Sequence, residues 1–341
     1  MNLPFSYDCD KSIAVYEQSK AFIEQTGIER DLAEIAWAYH SIGGLIPQTS
    51  ENFWSGHFFP WQESWEELQI SFNLCLFGLY KQAMSSLRSC LELGLLSVYW
   101  NLNDDGHTVI QEWLKSRENT PRSSDVWKKL EKHDNFKTFQ QRYDIRTRLL
   151  ALGFLHDYVH TRGHQFSNSI GLFKSNFQTF EQKGFEDWRQ AYAEVVIVLS
   201  ILHLVKFPIG TIKFDYSSKF GIDTPMFGGI DEFQVDRLEN FISSQIFQNI
   251  EFVAQGDHTV KNIMEWVANL PDMTEEEGED QIRNFDKRRI EQMGFEEWIK
   301  EEQVFRKGLE TTHLYTERLN SLKEWATEQG YLRPRHERDI S

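Results

Sequence analysis

The sequence predicts an all-α protein: a helical bundle with an N-terminal helical cap, one small hairpin near residues 209–230 and a C-terminal helical arm. Three observations carry this. Apolar side chains recur every three to four residues along most of the 341 positions, the spacing of one buried helix face. Two capping boxes, Ser64 with Glu67 and Thr274 with Glu277, mark helix starts, because each hydroxyl can accept from the backbone three residues on. Strand-like sequence is confined to 209–230, where Gly210, Gly221, Pro225, Gly228 and Gly229 punctuate short β-branched or aromatic runs.

In chain order, Lys11–Gln25 and Arg30–His40 form two helical patterns separated at Thr26-Gly27. Residues 41–63 read as a loop carrying Phe53, Trp54, Phe58, Phe59 and Trp61. From Ser64 to about Leu102 runs a long apolar helix or a helix pair, with Leu68, Phe72, Cys75, Leu79, Leu87 and Leu95 on its buried stripe. Asp104–Asp134 is polar, with short helical pieces around Trp113 and Trp127, and Phe136–Tyr158 is helical again.

Val195–Phe207 is the most apolar segment and belongs at the centre of the core. Ser200, His203 and Lys206 interrupt it, and it is too short and polar to span a bilayer. Phe233–Ala254 returns to helix. Beyond Pro271 a charged helix opens at Thr274, and a last one runs from about Phe295 to Glu328. Gly184-Phe-Glu-Asp-Trp188 and Gly294-Phe-Glu-Glu-Trp298 read as two similar helix starts. These patterns divide the chain into a cap and aromatic loop (1–62), a central bundle (63–207), a hairpin with further helices (208–271) and an acidic arm (272–341).

A net charge of −16 disfavours indiscriminate wrapping of nucleic acid. The charge is uneven: Lys115–Arg148 holds ten Lys/Arg against five Asp/Glu, and Asp272–Glu302 twelve acids against five bases. The basic island is either the solvated face of its helices or a phosphate-attracting approach to a site, with Lys128, Lys129, Arg142, Arg146 and Arg148 as the contacts. Three cysteines without disulfide spacing, and no basic leader at the N-terminus, predict a soluble protein of a reducing, cytoplasmic compartment.

The densest chemistry lies in Phe154–His164, which holds His156, His160, His164, Asp157, Tyr158 and Arg162. On one helix the three histidines would share a face at i, i+4 and i+8. His156 and His160 at i, i+4 can converge on zinc, but the zinc-protease glutamate is replaced by Asp157 and few other ligands cluster nearby. No Gly-x-Ser-x-Gly elbow, Walker loop or dinucleotide fingerprint occurs, which excludes those recognised classes. Arg88 and Glu92, at i, i+4 in a leucine-rich helix, need polar partners, and His156, Tyr158 and His160 are the best on offer. Such a network either fixes helix register or forms an Arg/His site for phosphodiester cleavage.

The pattern Tyr80-Lys-Gln-Ala-x-x-x-Leu87-Arg88-x-x-x-Glu92, followed by Leu155-x-Asp157-Tyr158-Val159-His160, resembles the HEPN-like helical superfamily, in its bacterial branches with "LR…LE" and "YVH" helices. The resemblance covers about Glu63 to Phe207. It implies a four- to five-helix bundle, often a metal-independent ribonuclease of toxin–antitoxin or antiphage systems, otherwise a binding or scaffold module. The superfamily's Arg-x(4–6)-His spacing is not met: seven residues separate Arg148 from His156, and eleven separate it from His160.

The resemblance therefore places Arg88, Glu92, Tyr158 and His160 at the polar centre, with Arg148, His156 and Arg162 as supplements. The leading expectation is an RNA- or nucleotide-directed conflict or stress protein, with His160 as acid-base group and Arg88 or Arg162 on the phosphate. The alternatives are a non-catalytic interaction module, in which the cluster is structural, and a zinc hydrolase using His156 and His160. No cofactor is expected. The partners expected are RNA or a nucleotide, a protein at the C-terminal arm and a second copy of the chain, with no membrane.

Overall fold

The computed structural model describes residues 8–46, 58–100, 102, 106–168, 178–213, 216–222, 229–305 and 313–333. Among them every regular element is helical and no strand occurs. They form two compact units, Met1–Phe214 with Met226–Glu265, and Asp215–Pro225 with Trp266–Ser341.

The first unit opens with α1 (Cys9–Thr26) and α2 (Glu29–Ile42). The Asp8 carboxylate accepts from the backbone N–H of Asp10 and Lys11 at the start of α1, and Gly27 ends it at φ 67°, a left-handed turn that glycine adopts without strain. Next come α3 (Phe58–Leu76) and α4 (Tyr80–Tyr99), an antiparallel pair turned at Gly78. A side chain at Gly78 would be strained at φ 72° and would also meet the Thr179 carbonyl oxygen at 2.6 Å.

Four shorter helices and one of a single turn and a half follow: α5 (Gly106–Leu114), α6 (Ser123–Leu130), α7 (Asp134–Arg142), α8 (Ile145–Ala151) and α9 (Leu155–His160). The long α10 (Gln182–Lys206) then packs against α2 and α4. Val195, Val198, Leu199, Ile201, Leu202 and Leu204 are fully buried on it, so the most apolar segment is the core helix, as its sequence predicts. By length and composition α10 would pass as a membrane span, but 72% of its apolar window is buried within the protein. The unit closes with α12 (Glu232–Phe241), α13 (Ser244–Gly256) and the start of α14 (His258–Asn269); the short α11 (Ser217–Phe220) lies in the second unit.

Hydroxyl groups set the register of the central helices. Ser64 donates to the Cys90 carbonyl at 2.7 Å and Ser71 to the Ala83 carbonyl at 2.8 Å. Ser86 donates to the Glu67 carbonyl at 2.9 Å, and Ser19 ties α1 to the Leu76 carbonyl at 2.9 Å. Small side chains let the backbones approach closely, and each buried polar atom here finds a partner on a neighbouring helix. This corrects the reading of Ser64 as a helix cap: α3 begins at Phe58, and Ser64 is buried within it. Six residues of good apolar spacing upstream extend the helix past the local cap signal.

Other expectations change in similar ways. The segment Ser64–Leu102 is a helix pair broken at Gly78. Phe136–Tyr158 is three α-helices joined by short breaks and a 3₁₀ turn at Leu152–Phe154. Phe233–Ala254 divides at Ile242, whose extended backbone ends α12. In place of the hairpin at 209–230 stand a 3₁₀ turn at Pro208–Thr211 and the short α11; residues 214–215 and 223–228 lie outside the described residues. So do Phe53, Trp54 and most of the expected aromatic loop, whose remaining aromatics Phe58, Phe59 and Trp61 belong to α3.

The second unit contains α15 (Glu275–Met293), α16 (Phe295–Phe305) and α17 (His313–Glu328). The Thr274/Glu277 capping box is present, with Glu277 N–H donating to the Thr274 hydroxyl at 3.2 Å and Thr274 N–H to the Glu277 carboxylate at 2.8 Å. The region is more than a solvated arm. Ile290, Phe295, Trp298, Leu322 and Ala326 form a buried core of their own. Beside that core, Arg318 donates to buried Asp286 at 2.7 Å and lies 3.5 Å from Glu302.

Candidate functional site

The α9 segment is held by a buried face and presents an exposed one. Leu155 is fully buried and Tyr158 is 5% exposed, its ring packed on Phe166 at 4.9 Å between centroids. Burial, with the nearby Asp187 charge adding to it, pushes the Tyr158 phenol up to about 12. Tyr158 is therefore an anchor for the helix and stays a neutral phenol at ordinary pH. Half a turn away, His156 and His160 are exposed, with ring centroids 4.1 Å apart. One helical turn separates them, which is what brings the imidazoles into contact.

The helix stops at His160, so the expected shared face does not extend to His164. Thr161 takes a left-handed conformation at φ 48°, and its N–H and that of Arg162 both turn back to the Asp157 carbonyl. Gly163 follows at φ 93°, and His164 starts a 3₁₀ turn (His164–Phe166). These two left-handed positions, Thr161 and Gly163, end the periodicity. Arg162 is 78% exposed and lies 3.7 Å from Asp157. His164 is exposed.

This segment packs against α4, as the pairing of the two sequence patterns predicts. The Lys81 ammonium donates to the Thr161 hydroxyl at 2.6 Å, and the Gln82 amide to Asn168 at 3.3 Å. Arg88 lies two turns along the same stripe of α4 as Lys81, about 10 Å on. Its guanidinium pairs with Glu92 one turn further, with side chains 18% and 47% exposed. The Arg88 Nε is buried and has no hydrogen-bond partner among the described residues. Arg88 thus pairs along its own helix through Nη2 while its Nε stays unpartnered among the described residues, and the buried polar network expected here is supplied by the serines instead.

The basic island resolves into engaged and open cations. Arg148 forms a two-pronged pair with Glu194, its Nη2 2.8 Å from Oε2, and also donates to the Tyr143 hydroxyl at 3.0 Å. That pairing raises its pKa further, so Arg148 is a bracket between α8 and α10. Arg142 donates to Asn249 at 2.9 Å and stacks over Phe252 at 4.1 Å. Lys129 lies over the Tyr99 ring at 4.6 Å. Lys128 pairs with Asp125 at 3.1 Å, and Arg146 lies 3.8 Å from Glu131, both cations more than half exposed. A mixed, mostly paired helix face results.

No group of three or more His, Cys, Asp or Glu side chains among the described residues is arranged to hold a metal ion. The zinc reading of His156 and His160 has no third ligand there.

One polar group the sequence reading passed over lies at the end of α10. His203 is fully buried; its Nδ1 donates to the Leu199 carbonyl at 2.8 Å, which leaves Nε2 to accept from Ser97 at 3.2 Å. Lys206 donates to the carbonyls of Ser97 and Trp100, at 2.9 and 2.7 Å, at the last turn of α4. Burial, then the Lys129 charge, pulls Lys206 down to about 7. The signal was present in the sequence as two of the three polar interruptions of the most apolar run.

Comparison of the chain with protein-family models, curated proteins and solved structures finds no match in any of the three.

Proposed function

We propose that α9 and the adjoining stripe of α4 form an RNA-directed site, and that the protein is a HEPN-like, metal-independent endoribonuclease of conflict or stress function. The observation that carries the reading is the exposed His156/His160 pair, in ring contact and anchored by the buried faces of Leu155 and Tyr158. Histidine is the side chain whose unperturbed titration falls between pH 5 and 8, and two side by side can divide the roles of base and acid.

The step balances without a cofactor. A neutral imidazole takes the proton of a ribose 2′-hydroxyl, and the 2′-oxygen attacks the adjacent phosphorus. The P–O5′ bond breaks, an imidazolium protonates the leaving 5′-oxygen, and a 2′,3′-cyclic phosphate remains. His160 is assigned the first role and His156 the second. Arg162, exposed beyond the helix end, suits the phosphoryl oxygens better than Arg88, which Glu92 already holds. Lys81 adds a second cation at the same end of α9.

The rival is a non-catalytic interaction module. It is favoured by the pairing of Arg88 with Glu92, which holds that arginine along its own helix. Purified protein incubated with single-stranded RNA separates the two. The nuclease reading expects cleavage to cyclic-phosphate ends, insensitive to chelator, and lost in His160→Ala with an unchanged melting temperature. Intact RNA with the wild type, or equal cleavage by His160→Ala, overturns it.

A further inference from the structure

A cavity of about 390 Å³ opens between α1, α2, α3 and α10, away from the α9 segment. Its lining is mostly apolar, with Ile23, Leu32, Phe72 and Leu76 among the walls. That size falls within the range of small-molecule pockets, which pair an apolar lining with a few placed polar groups.

Two polar features stand out against that lining. Tyr192, 4% exposed, lines the cavity, and no hydrogen bond to its hydroxyl is found among the described residues. Burial raises its pKa, so the group remains a neutral phenol with a proton to donate. The hydroxyl is not among the sealed polar atoms of the core, so it is open to an acceptor that a bound molecule brings into the cavity.

The second feature is the rim, where Glu24 and Glu29 are exposed and have no ion-pair partner among the described residues. Lys20, also on the rim, is drawn to Glu17 at 3.8 Å and to the Tyr16 ring at 5.5 Å. The rim is therefore net negative. Apolar walls, an inner phenol donor and an acidic mouth together describe the complement of one kind of molecule.

We propose that this cavity binds a small organic amine with an apolar body tipped by an oxygen acceptor. The ammonium sits at Glu24 and Glu29, the body fills the space beside Phe72 and Leu76, and the oxygen accepts from Tyr192. A mixed acidic rim alone would not choose such a ligand; the unpartnered Tyr192 hydroxyl fixes its far end. The assignment is independent of the ribonuclease reading.

The test uses the full chain and three probes in titration calorimetry: tyramine, phenethylamine, which lacks the far oxygen, and tyrosol, which lacks the charge. Tyramine is expected to bind saturably and to raise the melting temperature, with both analogues weaker by about tenfold, the loss of one good polar contact. Tyr192→Phe should bring tyramine to the phenethylamine level. Glu24→Gln with Glu29→Gln, at exposed positions where folding is not at stake, should bring it to the tyrosol level. Ala36→Leu, which fills the cavity, should abolish binding. No saturable binding of tyramine, equal binding of tyrosol, or unchanged binding in the double glutamine variant would overturn the proposal.

Discussion

Ser64 donates its one hydroxyl proton to the Cys90 carbonyl at 2.7 Å, so the Tyr39 hydroxyl, 2.6 Å away, donates to Ser64 in turn. Three helices, α2, α3 and α4, meet through this one buried oxygen. Burial holds the Tyr39 phenol and the Cys90 thiol protonated, the thiol being pushed up to about 12. The Tyr39–Ser64–Cys90 relay is therefore neutral, and its role is to fix the depth and rotation of the helices.

Ser64→Ala removes the acceptor of a fully buried phenol, and should destabilise the fold by about 1–3 kcal/mol in urea unfolding. Tyr39→Phe made on top of Ser64→Ala should add less than it does alone, because both changes break the same link. Strict additivity of the two would show that the hydroxyls act independently.

Gly94 sets how closely α4 approaches α10. A Cβ there would lie 2.6 and 2.7 Å from the two terminal carbons of Leu199, and 3.0 Å from the Tyr39 hydroxyl. Gly94→Ala, although it raises helix propensity, should cost about 1–3 kcal/mol through overpacking. Trimming the neighbour with Leu199→Ala should make Gly94→Ala less harmful than it is in the wild-type background. A stabilised Gly94→Ala would mean that the helix spacing is looser than the contacts imply.

His203 gives the fold an acid limit. Burial holds its imidazole at about 3 against an ordinary 6.5, so the native protein resists the proton that the unfolded chain takes up. The stability due to this group is whole above pH 6.5 and is lost as pH falls from there toward 3. The slope is about 1.4 kcal/mol per pH unit. Urea unfolding at pH 6 and pH 4.5 should differ by about 2 kcal/mol from this source, a difference that His203→Met should remove. Equal slopes in the wild type and His203→Met would show that the site admits a proton.

Much of the helical frame was legible because its signals are local. The apolar spacing of α10, the Thr274/Glu277 cap and the Gly27 break each act through neighbours within a turn. Where the reading failed, a longer-range contact outweighed the local signal. Ser64 has the sequence of a cap, yet it is drawn into the core by Tyr39 and Cys90, which lie 25 and 26 residues away. The glycine-rich stretch at 209–230 looked strand-like, but the regular elements among its described residues are helical turns.

For the site, the residue order alone carries the inventory and one pairing: a histidine-rich segment, and its packing on the helix that carries Lys81 and Arg88. The tertiary structure decided which of those groups are spent on the fold. Arg148 is bound to Glu194, Arg88 to Glu92, and Tyr158 is buried, while His156, His160 and Arg162 face outward. Periodicity assigns a side chain to a face of its own helix. Only the neighbouring helices settle whether that face meets a carboxylate, an apolar wall or water.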